Sequence, residues 1–332
     1  MTGFLKVSAV LAAGAGILWA ERPVLGSIER LDPALDELIA PEAKMEVLAA
    51  GHVWTEGPVW DGKKQRLLYS DIPRNAVYAW NAKDGTTEIF LQPAGFSGPA
   101  EYGKEPGSNG LLIDPEGRLL SCEHGDRRVS LLTKGGGKRT LVDAFEGKRL
   151  NSPNDLCRHS NGTLFFTDPP YGLPGGAESE LRELDFCGVF RLGKDGELSL
   201  VDKSLDRPNG VTLSLDEKTL YVAQSHGPAP VIKAWDVDAQ GIPSNPRIFF
   251  DASELAKKDK GMPDGLKCDV NGNVWCTGPG GLMVISPEGK LLGRLLTGQA
   301  TSNCAWGEDG SVLFLTADAY VLRLETKTKG KL

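Results

Sequence analysis

Six polar residues with side-chain oxygens recur along the chain, each at the start of a similar apolar stretch. They are separated by 39 to 55 residues and are Glu56, Asn109, Asn154, Asn209, Asp264 and Asn303. A site that combines carboxylate, amide and water oxygens suits a hard cation such as Ca²⁺ or Mg²⁺ better than a soft metal. The two carboxylates would balance the charge of one divalent ion. If the fold brings these positions together, we expect the chemistry of a single bound cation.

The stretches that follow these residues are copies of one hairpin. Each copy runs from the polar residue through an alternating apolar segment and a turn to a second apolar segment, as in SPNDLCRHSNGTLFFTD (152–168). Turns such as PEG (115–117) and SNG (160–162) contain the residues that tight hairpins need. A repeat of 40 to 55 residues built from strands is typical of propeller blades. The sequence therefore predicts an all-β fold, a six-bladed β-propeller with four-stranded antiparallel blades over residues 46–332.

The repeat also predicts how the propeller ring closes and where the six polar residues meet. The segment KMEVLAAG (44–51) precedes the first copy, and we predict that it supplies a strand that closes the ring against the last blade. The six opening residues would then lie at the same end of a central channel. A structural alternative is that Asn and Gly recur there only because strand entry needs a polar turn. Turn chemistry does not explain the two carboxylates, which need a partner if they are buried.

The N-terminal region differs from the rest of the chain. Lys6 precedes the apolar run VSAVLAAGAGILWA, which is short for a membrane span and suits a signal peptide. We therefore expect residues 1–20 to be a signal peptide or short N-terminal anchor, residues 21–45 to be a linker, and the protein to be periplasmic or secreted rather than cytoplasmic. An N-terminal helix packed on the domain is the alternative.

Composition excludes several other classes of function. The net charge is −7 and the basic residues are scattered, which argues against nucleic-acid binding. The six cysteines form no C-x-x-C pair, so a zinc-finger type of site is not predicted. We interpret the cysteines as buried apolar residues, and a bridge between Cys268 and Cys276 is left open.

Several motifs along the chain resemble one known family. In order they are EGPVW (56–60), RLNSPNDL (149–156), FTDPPYGL (166–173), RPNGVTLSLDEKTLYVA (207–223), MPDGLKCDVNGNVWCTGPGG (262–281) and FLTAD (314–318). These segments resemble signatures of the SMP-30/gluconolactonase family of Ca²⁺-dependent lactonases, and the resemblance runs from about residue 46 to 325. The order and spacing of the motifs make it more specific than any single Asn-Gly pair.

The resemblance implies an enzyme that hydrolyses a sugar-type lactone to the hydroxy acid. It implies a Ca²⁺ site, with Mg²⁺, Mn²⁺ and Zn²⁺ as alternative ions, formed by Glu56, Asn154, Asn209 and Asp264. The cation would polarise the lactone carbonyl, and Asp264 would also activate the attacking water as the general base. Some relatives carry an arginine that contacts sugar hydroxyls two residues before a channel Asn, where this chain has Ser152. The identity of the sugar is therefore open.

Further residues are candidates for contact with the substrate. They are Asn109, His124, Tyr171 and Asn303. For His124 the alternative is a structural role beside Glu123 or Asp126, and for Tyr171 it is packing. We expect segments 91–108 and 173–187 to cover the pocket.

The sequence alone is also compatible with two rival functions. The same metal site could hydrolyse organophosphates or aryl esters, because a Lewis acid activates phosphoryl and acyl centres alike. A non-catalytic binding propeller is the other, although retention of both channel carboxylates does not favour it. The partner expected is a small-molecule lactone, with no nucleic acid, and with membrane contact only through an N-terminal anchor.

Overall fold

A computed structural model describes residues 22–332, in which six antiparallel sheets follow one another along the chain. The N-terminal segment contains β1 (Ser27–Arg30), a 3-10 helix (Pro33–Glu37) and β2 (Glu46–Ala49). Five sheets then form from consecutive strands, and the sixth is completed by β2. The predicted all-β, six-bladed propeller with four-stranded antiparallel blades is confirmed.

The blades are numbered in chain order, with the innermost strand first. Blades 1 and 2 are β3 (Thr55–Asp61), β4 (Arg66–Asp71), β5 (Ala76–Asn81) and β6 (Thr87–Leu91), then β7 (Ser108–Ile113), β8 (Leu119–Glu123), β9 (Arg128–Leu132) and β10 (Lys138–Val142). A short hairpin of β11 (Ala144–Phe145) and β12 (Lys148–Arg149) leads to blade 3, which is β13 (Leu156–Arg158), β14 (Leu164–Asp168), β15 (Gly188–Leu192) and β16 (Leu198–Asp202).

The second half of the ring repeats the pattern. Blade 4 is β17 (Pro208–Leu213), β18 (Thr219–Gln224), β19 (Val231–Val237) and β20 (Pro243–Asp251), followed by the single helical turn α1 (Ser253–Ala256). Blade 5 is β21 (Leu266–Cys268), β22 (Val274–Gly278), β23 (Gly281–Ile285) and β24 (Leu291–Leu296), and blade 6 is β25 (Thr301–Gly307), β26 (Val312–Ala317), β27 (Tyr320–Glu325) and β2.

The segment before the first repeat closes the ring, as predicted. Strand β2 pairs antiparallel with β27, and Val47 lies opposite Leu322. The outer edge of blade 6 is thus hydrogen-bonded to residues far away in the sequence, which removes an exposed strand edge.

Part of the segment predicted to be a linker is strand. Strand β1 pairs antiparallel with β24, so blade 5 has a fifth strand. The following 3-10 helix and the residues directly after it place Leu35 and Ile39 in the buried cluster between blades 5 and 6. Four residues give too short a pattern for β1 to be recognised from sequence, and its pairing partner is distant in the chain. The predicted signal peptide, residues 1–20, lies outside the described residues.

The core lies between neighbouring blades rather than within one sheet. All five residues of β14 are buried, because both faces of this strand are covered. Phe166 packs in a cluster with Cys122 of blade 2, whereas Phe165 packs in another with Val211 of blade 4. Successive side chains of a strand point to opposite faces, so one strand ties three blades together.

In the described residues the cysteines are unpaired and the helices are short. All six cysteines lie in residues 22–332 and have free thiols, five of them buried. Cys268 and Cys276 are on paired strands but Cys268 lies opposite Val274, not opposite Cys276. In the same range, no helix is both long enough and apolar enough to span a membrane.

Candidate active site and metal centre

The six predicted channel residues lie at the same end of the innermost strands. Four of them are within β3, β7, β17 and β25, and the other two precede β13 and β21 by two residues. The pairing of the first and second strands is irregular at this level in blades 1, 2, 4 and 6. Backbone groups freed from the ladder bond to the neighbouring blade instead.

Contacts across blade boundaries join these residues into a ring. The amide Nδ2 of Asn303 donates to Oε2 of Glu56 at 3.2 Å. The N–H of Gly110 donates to the carbonyl of Asn154 at 2.7 Å. Hydroxyl groups on second strands complete the contacts, and Oγ1 of Thr167 donates to the carbonyl of the next blade's channel residue, Asn209, at 2.5 Å.

Close approach between innermost strands explains the glycines of the repeat. Four of the six positions are followed by a glycine, namely Gly57, Gly110, Gly210 and Gly265. A Cβ atom on Gly57 would lie 2.0 Å from the carbonyl oxygen of Asn109, and one on Gly210 would lie 2.2 Å from that of Asp264. Real Cβ atoms do not come so close to a backbone oxygen. The glycines therefore serve the narrow channel rather than a turn.

Two carboxyl groups, those of Glu56 and Asp264, belong to this ring. Burial raises the pKa of Glu56 to about 8, although the N–H of Gly57 bonds to its carboxylate. Burial, followed by the charge of Glu56, raises the pKa of Asp264 well above its usual range. Two like charges in a buried site repel each other and are costly unless a cation lies between them.

The amide of Asn209 is oriented by the hydroxyl of Ser225. Oγ of Ser225 donates to the carbonyl of Pro263 at 2.6 Å and accepts from Nδ2 of Asn209 at 2.9 Å. Because the amide nitrogen is used in this way, Oδ1 of Asn209 is the free end. It is buried and has no hydrogen-bond partner within residues 22–332.

The same holds for other oxygens of the ring. Oδ1 of Asp264 and Oδ1 of Asn109 are also buried and without a partner in the described part of the chain. Buried oxygens without donors are rare in folded proteins and indicate a bound ion, water or ligand. The donor set, two carboxylates with amide oxygens, fits Ca²⁺ or another hard divalent cation. No group of three or more His, Cys, Asp or Glu side chains in residues 22–332 has metal-site geometry, so an ion here would depend on amide oxygens.

His124 lies at the rim of the ring beside Asn109. Its Nε2 is 3.5 Å from Nδ2 of Asn109, and its Nδ1 is 3.6 Å from Oε2 of Glu105. The structural alternative of a partner at Glu123 or Asp126 does not hold. Glu123 instead bonds to Arg128, on the other face of the strand.

Burial changes the pKa values of His124 and Glu105 at this rim. Burial lowers the pKa of His124 to about 4, so its imidazole is neutral at neutral pH. Burial also raises the pKa of Glu105 to about 7. Glu105 is close enough to the channel to raise the pKa of both Glu56 and Asp264 by charge repulsion.

Tyr171 and Asn303 occupy different positions in the site. The hydroxyl of Tyr171 is buried without a partner in the described residues, and burial, then the charge of Asp264, raises its pKa. Both amide atoms of Asn303 are engaged, since Nδ2 donates to Glu56 and Oδ1 accepts from the N–H of Cys304. Its position supports Glu56, and its substrate contact stays a prediction. Ser152 bonds to backbone, with Oγ donating to Pro169 at 2.5 Å.

Sequence reasoning missed two residues of the site, Glu105 and Ser225. Glu105 belongs to segment 91–108, which we expected to cover the pocket, but an irregular loop gives no periodic signal for the direction of one side chain. Ser225 directly follows β18, one residue beyond the predicted copy of the repeat. Its place at the end of a second strand was the available signal.

A separate cavity opens at the other end of the channel. It has a volume of about 730 Å³ and is lined by the far ends of innermost strands, including Leu112, Cys157 and Lys267. It contains none of the six ring residues. This cavity is therefore distinct from the end of the channel that carries the convergent oxygens.

Comparison with known proteins identifies the family. Residues 54–319 match the SMP-30/Gluconolactonase/LRE-like region. The chain belongs to this family. A gluconolactonase of Zymomonas mobilis is 39% identical over 313 residues, which cover 92% of this chain and 88% of that protein. The predicted family and the prediction of a lactonase are both confirmed.

Solved structures of SMP-30/gluconolactonase proteins have the same architecture. A gluconolactonase of Xanthomonas campestris superposes with a TM-score of 0.79 at 31% identity, covering 93% of this chain and 99% of that one. A calcium-binding regucalcin of Agrobacterium tumefaciens has a TM-score of 0.70 at 19% identity, covering 86% and 95%. The second likeness shows the fold alone.

Proposed function

We propose that this protein hydrolyses a sugar-type lactone with the help of one divalent cation, Ca²⁺, held in the channel ring. The observation that carries the proposal is the buried carboxyl group of Glu56 together with the half-buried Asp264, whose Oδ1 is buried and has no partner in residues 22–332. The amide oxygens Oδ1 of Asn109 and Asn209 also lack partners in that range. The relatives support the reaction class, because the Zymomonas mobilis and Xanthomonas campestris proteins are gluconolactonases.

The ion would be held by Glu56, Asn154, Asn209 and Asp264, with water at the remaining positions. Bound there, a divalent cation supplies Lewis acidity toward a carbonyl oxygen. Ser225 keeps Oδ1 of Asn209 turned to the channel, so this ligand needs no reorientation. Ca²⁺ is preferred over a softer ion because all the donors are oxygens.

Asp264 would act on water as well as on the ion. One of its oxygens is free and buried, so it can accept a proton from a water molecule beside the ring. The water oxygen bonds to the lactone carbonyl carbon and the ring C–O bond breaks. The ring oxygen takes the proton that Asp264 accepted from the water and becomes a hydroxyl of the same molecule. The product is the open-chain hydroxy acid.

The decisive experiment uses residues 21–332 purified after chelation, with Ca²⁺, Mg²⁺, Mn²⁺ or Zn²⁺ added back. Glucono-δ-lactone, an aryl ester and a fluorophosphate are assayed in parallel. Ca²⁺-restored opening of the lactone supports the proposal. Turnover of only the ester or the fluorophosphate would indicate that the site belongs to an aryl esterase or an organophosphate hydrolase. A bound metal without turnover would favour a non-catalytic binding propeller.

We also propose that residues 1–20 direct export from the cytoplasm. The support is the charged residue followed by a short apolar run. Fractionation of cells that express the full chain, compared with a chain beginning at residue 21, tests this. Equal distribution of the two forms contradicts it.

A further inference from the structure

Three polar residues lie in a row from the channel rim to the ring. Oε2 of Glu105 lies 3.6 Å from Nδ1 of His124, and Nε2 of His124 lies 3.5 Å from Nδ2 of Asn109. Oδ1 of Asn109, at the far end, is buried and has no partner in residues 22–332. Both distances are longer than those of ordinary hydrogen bonds, as is common in catalytic sites without substrate.

The donor and acceptor groups allow one consistent assignment. An amide Nδ2 can only donate, so Nε2 of His124 must accept and the proton of the neutral ring lies on Nδ1. The nearest carboxylate to Nδ1 is that of Glu105, which lies just beyond hydrogen-bond distance, and Nδ1 has no partner within residues 22–332. An ionised carboxylate can only accept, so it matches Nδ1–H when the two atoms come closer. The assignment turns the nitrogen of the Asn109 amide away from the channel and leaves Oδ1 facing it.

Packing restricts the imidazole to this place. His124 is fully buried, and a Cβ atom on Gly172 would lie 2.3 Å from its Cβ. The loop after β14 therefore lies directly against the histidine. An imidazole packed in this way has little room to flip, so Nδ1 stays near Glu105 and Nε2 stays near Asn109.

The loop that carries Glu105 is anchored next to the histidine. The N–H of His124 donates to the carbonyl of Gly107 at 3.1 Å, and the N–H of Gly125 donates to that of Pro106 at 3.2 Å. The residues directly after Glu105 are thus bonded to the backbone of His124 and its neighbour. The side chain of Glu105 keeps 37% exposure, so it lies at the entrance rather than in the core.

We propose that Glu105 and His124 are positioning residues that hold Asn109 with Oδ1 toward the channel, and that this oxygen accepts a hydrogen bond from a ring hydroxyl of the substrate. The inference rests on the proposed lactonase function and extends it to the substrate class. The protein would select hydroxylated lactones over plain ones, because only a hydroxyl can donate to this oxygen. A site built to bond a hydroxyl discriminates strongly against a substrate that lacks it.

The test compares two substitutions of Glu105 on two lactones. Glu105→Ala removes the acceptor for Nδ1–H, whereas the amide oxygen of Glu105→Gln can still accept from it. Glu101→Ala changes an exposed glutamate of the same loop and is the matched control. Each variant is assayed with Ca²⁺ on glucono-δ-lactone and on δ-valerolactone, which has no hydroxyl, and its melting temperature and Ca²⁺ affinity are measured.

Glu105→Ala should raise KM for gluconolactone about tenfold, the equivalent of one hydrogen bond, and leave kcat within about twofold. Its kinetics on valerolactone and its melting temperature should not change. Any loss of Ca²⁺ affinity that comes from removing the negative charge near Glu56 and Asp264 should be equal in Glu105→Gln. Glu105→Gln should remain within about threefold of the wild type, and Glu101→Ala should match the wild type.

Other results would overturn the inference. Equal losses on both lactones, or a Gln variant as impaired as the Ala variant, would indicate that Glu105 acts through its charge or by proton transfer. No change in either variant would mean that the residue does not position Asn109. If valerolactone turns over too slowly to measure, the KM and kcat values and the Gln variant decide. A wild-type protein that opens neither lactone contradicts the proposed function itself.

Discussion

At the scale of single residues, some polar side-chain atoms of the site already have hydrogen-bond partners and others do not. The amide nitrogen of Asn209 donates a hydrogen bond to Ser225. The amide nitrogen of Asn303 donates to Glu56, and its amide oxygen accepts from the N–H of Cys304. Asp264, in contrast, has a free buried oxygen. This division separates the groups available to an ion and to water from those that support them.

Asp264→Asn should abolish lactone turnover, with kcat at least about 10³-fold lower, in a protein that remains folded. The substitution keeps the size of the side chain but removes the charge and the proton acceptor. Asn303→Ala should reduce kcat by much less, because it removes only one donor to Glu56. Steady-state kinetics and circular dichroism check both variants, and equal damage from the two would contradict the four-ligand assignment.

A buried carboxyl group outside the ring, that of Asp168, should make stability depend on pH. Burial raises its pKa to about 7, despite the N–H of Asn151 at 2.7 Å from Oδ2. Since the folded pKa exceeds the unfolded value, the stabilising contribution is present below about pH 4 and is lost as the pH rises through 7, by up to about 4 kcal/mol.

Asp168→Asn should therefore flatten the decrease in melting temperature between pH 4 and 8. Asn still accepts from the N–H of Asn151, so the local bond is kept. Denaturant unfolding of wild type and variant at several pH values measures the difference. The exposed Asp185→Asn is the control, and an unchanged slope in Asp168→Asn would show that this carboxyl group does not titrate in the range.

At the scale of elements, the sequences of the innermost strands suit close approach to the neighbouring blade as well as pairing within their own sheet. Each glycine after a ring residue lies where a side chain would strike the neighbouring blade. The sequence displays these glycines as Asn-Gly, Glu-Gly and Asp-Gly pairs, which resemble turn signals. Their reason is visible only when adjacent blades are in place.

Gly210→Ala should destabilise the fold by about 1 to 3 kcal/mol and lower activity, because overpacking here moves Asp264. The added Cβ would be 2.2 Å from the carbonyl oxygen of Asp264. Gly135→Ala is the control, since its Cβ would come no closer than 4.0 Å to its nearest neighbour. Denaturant melts and kcat measurements test the pair, and similar behaviour of both variants would contradict the role given to the channel glycines.

At the scale of the whole molecule, the ring closes only when the N-terminal strand β2 joins the last blade. Val47 is buried against a cluster that includes Trp306 and Leu322. The first and last parts of the chain therefore share one core. Stability of blade 6 should be inseparable from stability of the ring.

Val47→Asp should destabilise the whole propeller by more than about 3 kcal/mol, because it buries an unpaired charge at the closure. Val53→Asp, at a position with 49% exposure, should change stability by less than about 0.5 kcal/mol. Thermal unfolding followed by circular dichroism compares the two. A Val47→Asp protein with wild-type stability would mean that β2 is dispensable for closure.

The sequence by itself determined the repeat, and with it the propeller, the closing strand and the six ring residues. Strand periodicity and residue type are local properties, so Glu56 and Asp264 could be predicted before any contact was known. Tertiary structure decided what is not periodic. Strand β1 pairs with β24, and Glu105 reaches His124 from an irregular loop. These depend on which distant segments meet, and no spacing along the chain encodes the direction of a side chain in a loop.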